Sequence, residues 1–255
     1  MNQATTSFQL AAAEAFVFAH GSPRQRAYWK AAFGWGPVEV WLFEVEHHQG
    51  PRGGWGAGMD PRDGGRPDTV PGTATALRWL AWLNLGEDIF EVMPRTLAFL
   101  AAYQAADGSW GDEPNDHERA ATTATIGAYL AFLGELPIET ERAARFVLAH
   151  PEAPLPLPVR ALTLSLLRGR APEVVARREL ELHAAVEANG LTTVELAWIH
   201  EGAVQAGLTP ADPLRAAIAP RLLQRQQPDG HFPADDPRWD AVDTTFFAAR
   251  ALVTR

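Results

Sequence analysis

Asp240-Ala241-Val242-Asp243-Thr244-Thr245 sets two carboxylates three residues apart. On a helix that spacing puts both on one face. Asp243 would lie about 4.5 Å deeper along the axis than Asp240, towards Phe246 and Phe247. Burial disfavours ionisation, so the deeper carboxyl would keep a proton to give away. A second cluster is Glu195, Trp198, His200 and Glu201. Glu195 and Trp198 share a helical face, and charges on a buried face cost free energy unless they are paired or used. If that face is wet, the same charges need no explanation. A third pattern comes from the threonines. Aligning Thr73, Thr122 and Thr245 places Asp68, His117 and Asp240 five residues before each. These three side chains would ring one mouth of a cavity, or serve as N-caps, for which Asp is well suited. The chemistry available to such a set is acid–base.

The elements that must position them are helices. Apolar residues recur at helical spacing over 8–20, 23–33, 37–48, 73–85, 87–104, 117–133, 139–150, 157–167, 172–188, 192–206, 210–226 and 241–254. Apolar and amphipathic helices alternate, as two concentric rings require, because an inner helix touches the outer ring on one side and a cavity on the other. Inner helices are expected to start near 8, 72, 120, 157, 192 and 242. The expectation is an all-α, single-domain (α/α)6 toroid over 1–255 with a central apolar cavity. Trp79, Trp82, Tyr129, Phe132, Trp198, Phe246 and Phe247 fall on inner helices, as cavity wall or as core filler.

Arg95-Thr-Leu-Ala-Phe-Leu-Ala-Ala-Tyr-Gln104-Ala-Ala-Asp-Gly108-Ser-Trp110 ends an amphipathic helix in a tight turn. Asp-Gly is a turn signal because glycine takes positive φ without steric cost. Gln49…Gly53-Gly54-Trp55 and Gln226…Gly230-His231-Phe232 repeat the spacing, each with a small, threonine-rich helix after it. A Gln amide there can bond backbone groups at neighbouring helix ends, so the three copies read as structural clamps.

The stretch Arg95 to Trp110 resembles the QW repeat of squalene–hopene cyclases and related class II terpene cyclases, and also the repeat of protein prenyltransferase β subunits. That resemblance implies a toroid with a central cavity. The segment 240–245 resembles the D-x-D-D-T-A acid motif of class II terpene cyclases, in which a carboxylic acid protonates an alkene or epoxide to start a cation cascade. Asp240 and Asp243 match its outer aspartates; the family's donor position is Val242 here. The implied function is cyclisation or rearrangement of an isoprenoid or similar apolar chain, with no cofactor and no metal. Asp243 and Asp240 would supply the acid, with Glu195 next in line. His117 or His200 would tune it, since a lone solvated carboxylate is too weak a donor. The aromatics named above would stabilise cations. The rival is a non-catalytic lipid- or prenyl-chain-binding module that kept the clamps and lost the acid, a reading Val242 favours.

Composition narrows the field. The 255 residues carry 22 Lys+Arg against 31 Asp+Glu, a net charge of −9 without a basic stripe, so nucleic acid is a poor partner. The absence of cysteine removes thiolate nucleophiles and the cysteine zinc ligand that the prenyltransferase resemblance would imply. The glycine-rich 50–71 lacks the closing Lys-Ser/Thr of a phosphate loop. No stretch is long and apolar enough for a membrane span, and no signal peptide is evident. A cytoplasmic location follows, with a hydrophobic small molecule as partner and peripheral membrane contact for its delivery.

Overall fold

A computed structural model describes residues 8–34, 46–56, 65–83, 92–111, 116–151 and 153–253, with Trp82 and Leu83 described by their backbone alone. Eleven α-helices occur among them: α1 Leu10–His20, α2 Pro23–Ala32, α3 Val70–Leu83, α4 Met93–Tyr103, α5 Asp116–Leu133, α6 Pro137–Ala149, α7 Leu157–Leu167, α8 Pro172–Glu187, α9 Thr193–Gln205, α10 Pro213–Arg225 and α11 Ala241–Val253. The described residues hold no strand, only isolated bridges joining Trp55 to Gln49 and to Thr69. No described helix is long and apolar enough to cross a membrane. The expected helix 37–48 lies mostly outside the described residues, as does the 87–91 start of the expected helix 87–104.

Helix starts follow local chemistry. Proline opens α2, α6, α8 and α10 within the first two positions, where its missing N–H costs nothing. Ser22–Gln25 and Thr192–Glu195 form capping boxes at α2 and α9. Packing then follows a regular succession. Helix α3 packs on α5, α5 on α7, α7 on α9, α9 on α11, α11 on α2 and α2 back on α3. Helices α4, α6, α8, α10 and α1 pack against members of this succession, α1 against α11 and α2.

The three clamps adopt one geometry. Gln49, Gln104 and Gln226 each donate Nε2 to the carbonyl four residues on, that of Gly53, Gly108 or Gly230, at 3.0–3.1 Å. The same amide also donates to the start of another helix: Val92 O of α4 at 3.1 Å, Glu139 O of α6 at 2.8 Å and Gln9 O of α1 at 3.1 Å. The three glycines have φ of +93°, +93° and +91°. A Cβ there would sit within 2.5 Å of backbone in Arg95, Arg142 or Ala12 respectively, so glycine is required by both conformation and space. The backbone N–H of the aromatic residue then donates to a threonine hydroxyl: Trp55 to Thr73 at 3.0 Å, Trp110 to Thr123 at 2.8 Å and Phe232 to Thr245 at 2.9 Å.

This triplicate geometry corrects the register in two places. The middle anchor is Thr123, not Thr122, so the residue five before it is Glu118 and His117 drops out of the alignment with Asp68 and Asp240. Secondly, α1 receives the third clamp as α4 and α6 receive the first two. It is therefore equivalent to those helices, whereas α2 packs between α11 and α3.

Candidate functional site

A cavity of about 750 Å³ lies among the second and third turns of α3 and α5, the starts of α7 and α9 and the segment leading into α11. It exists because the facing side chains are short: Ala74 and Thr75 from α3, Ala121 and Thr125 from α5, with Pro156 and Pro158 at the start of α7. Trp198 and Trp239 supply the apolar wall. Three charged residues also line it, Arg78, Glu195 and Arg238, so the described wall is mixed rather than apolar as expected.

The aromatic residues continue behind the wall. Trp198 meets Trp239 and Phe247 edge-on, each with ring centroids 5.7 Å apart, and Trp239 meets Phe247 at 4.9 Å. Trp79 lies 6.0 Å from Phe246, 6.3 Å from Phe247 and 5.3 Å from Tyr28. Phe246 and Phe247 are buried, and Trp79 and Trp198 half-buried. Edge-on geometry sets positive ring edges against negative faces. Tyr129 is fully buried below, but its hydroxyl is committed, donating to Glu201 Oε1 at 2.9 Å and accepting from Arg78 Nε at 3.2 Å. Burial and the Glu201 charge push that phenol well above its ordinary range. Phe132 does not belong to the group: it is 43% exposed, at the far end of α5, which corrects its placement in the cavity. The side chain of Trp82 lies outside the described residues.

The two carboxylates of α11 meet on one partner. Gln25 Nε2, at the start of α2, lies 2.9 Å from Asp243 Oδ1 and 3.1 Å from Asp240 Oδ2. Asp240 is exposed and caps α11, accepting from the backbone N–H of Asp243 at 2.8 Å. Asp243 is half-buried, and its pKa is raised. Burial is the main cause and the Asp240 charge adds to it; the Gln25 hydrogen bond and Arg24 oppose them. In the register of the anchoring threonines, Asp243 corresponds to Ala121, and Phe247 to Thr75 and Thr125. Ala121, Thr75 and Thr125 line the cavity, whereas Asp243 and Phe247 are not among its lining residues. Val242 is buried and packs towards Gly21.

The remaining sequence candidates have other surroundings. His117 stands on the exposed first turn of α5. His200 is buried and accepts from Arg215 Nε of α10 at 3.3 Å. Burial, with Arg215 beside it, lowers its pKa to about 4, so it is a neutral acceptor between α9 and α10. Glu195 closes the α9 capping box, accepting from Thr192 N at 2.8 Å and Thr192 Oγ1 at 3.1 Å, while still facing the cavity. Asp68 is buried and accepts from the N–H groups of Gly54 at 2.9 Å and Arg52 at 3.2 Å, so it holds the first clamp's turn.

Sequence reasoning missed Gln25, Arg78, Arg238 and Arg250. One signal was available: Arg78 and Arg250 both lie five residues after an anchoring threonine, Thr73 and Thr245. Arg238 is held by buried Asp236 in a two-bond fork of 2.9 and 2.6 Å. Comparison with protein-family models gave no match, and comparison with curated proteins gave none.

Proposed function

We propose that the chain closes as an (α/α)6 toroid, with α2, α3, α5, α7, α9 and α11 inside. In its cavity it cyclises or rearranges an isoprenoid or similar apolar chain by protonation, as the resemblance of its clamps and acid segment to class II terpene cyclases implies. One observation carries this reading: Asp243 is a half-buried carboxyl of raised pKa, bridged to Asp240 by Gln25, one turn from Phe247 on the same face of α11. The proton leaves Asp243 for the substrate, the positive charge moves along the chain beside Trp79, Trp198, Trp239 and Phe247, and loss of a proton from the product restores the acid. A raised pKa keeps the proton in place but makes the donor weaker. The acceptor that suits it is therefore a basic one, an epoxide oxygen rather than an unactivated alkene. Each ring face stabilises a passing cation by about 0.5–2 kcal/mol.

Product analysis of the purified protein with terminally epoxidised isoprenoid chains tests this. Cyclised or rearranged alcohols formed by the wild type and absent with Asp243→Asn support it. Turnover unchanged in Asp243→Asn moves the acid to Glu195. The second reading, a binding module of the same fold, is favoured by Val242 at the family's donor position. It predicts tight binding of such chains with no product at all.

A further inference from the structure

Arg78 is the one cavity residue whose charge the described structure leaves uncommitted. Its Nε donates to Tyr129 OH and its guanidinium carbon lies over the Trp198 ring, 4.2 Å from the centroid. Nη1 and Nη2 have no partner among the described residues, and the side chain lines the cavity. Stacking and the Tyr129 bond fix the plane of the fork before any ligand arrives. Behind it, Tyr129 donates to Glu201, and half-buried Arg250 lies close enough to Glu201 to feel its charge. Glu201 is thus separated from Arg78 by the Tyr129 hydroxyl and has Arg250 beside it. Arg238, by contrast, is matched by Asp236 and attracted by Glu195. The first turns of α7 and α9 also border the cavity, which adds positive potential. A guanidinium with two parallel free N–H groups matches a carboxylate in a two-bond fork.

We propose that this cavity takes an amphipathic carboxylic acid, its carboxylate on the Nη1–Nη2 edge of Arg78 and its apolar chain against Trp198, Trp239 and Pro158. A single open fork edge suits a monoanion, and Glu195 on the same wall disfavours a more highly charged head. The inference rests on the reading of this cavity as the ligand site, and not on Asp243 acting as an acid.

Titration of the purified chain with dodecanoate, dodecanol and dodecyl phosphate, each below its micelle concentration, tests the assignment by tryptophan fluorescence and calorimetry. Dodecanoate should bind roughly tenfold or more tightly than dodecanol, the size of a charge-assisted pair. Arg78→Met should bring acid and alcohol to the same affinity. Arg78→Lys, which keeps the charge but loses the fork, should narrow the ratio, and it carries the test should Arg78→Met not fold. Asp243→Asn should keep the full preference even where it stops turnover, which separates failure of the chemistry from failure of this site. Equal binding of acid and alcohol by the wild type overturns the proposal. So does an unchanged ratio in Arg78→Lys together with Arg78→Met, or a preference for dodecyl phosphate over dodecanoate.

Discussion

The backbone N–H of Trp110 donates to Oγ1 of Thr123 at 2.8 Å, while Thr122, one residue earlier, lines the cavity. Two adjacent hydroxyls on one helix therefore do different things. Thr123→Val, which keeps the shape and removes the oxygen, leaves a buried N–H unpaired and should lower stability by about 1–3 kcal/mol. Thr122→Val should cost clearly less and should alter ligand binding instead. Urea unfolding of both variants measures the difference; equal losses would contradict the register.

Trp110 is fully buried and its indole N–H donates to Leu100 O at 2.8 Å. Trp110→Ala should cost roughly 3–5 kcal/mol. Trp110→Phe, which keeps most of the ring volume and matches Phe232 of the third clamp, should recover much of that. A melting temperature unmoved by the alanine variant would mean the clamps do not hold the fold.

His200 gives a pH signature. Its folded pKa of about 4 lies below the ordinary value near 6.5. Between those values the unfolded chain binds the extra proton, so stability is full above about pH 6.5 and falls as the pH drops towards 4. At about 1.4 kcal/mol per unit the total is on the order of 3 kcal/mol. His200→Gln should flatten that slope, and chemical denaturation at stepped pH reads it.

Asp243 should give the opposite sense in activity. Its raised pKa keeps the donor protonated at low pH, so turnover should fall as the pH rises through that value. Asp243→Asn should abolish turnover with ligand binding intact, and Asp240→Asn should retain part of it. The same variant loses the like charge that helps raise Asp243, so its falling limb should move to lower pH. A limb that stays put in Asp240→Asn would show that burial alone sets the donor.

The helices were legible because periodicity, proline starts and glycine turns are local signals: 157–167 was read to the residue and most others to within about three. The clamps were legible because a turn needing positive φ and a reaching amide leave fixed spacings. What stayed hidden depends on distance in sequence. Gln25 meets Asp240 and Asp243 across more than two hundred positions, and no periodicity connects them. Arg78 reads as an ordinary charge on an apolar helix until Tyr129 and Trp198 are brought beside it. His200 shares a helix with Glu195 but turns towards α10, because successive helical residues point about 100° apart. The slip from Thr123 to Thr122 arose because Thr-Thr pairs give two equally good alignments.

The bond from Gln226 to the start of α1 spans 217 positions. Most other helix pairs meet neighbours close in the chain and can form as soon as both are made. Helices α1 and α2, by contrast, pack on α11 from more than two hundred positions away. Among the described helices, that docking closes the longest loop and carries the largest closure entropy. Folding should therefore finish in a late step that joins α11 to α1 and α2, after the helices between them have packed.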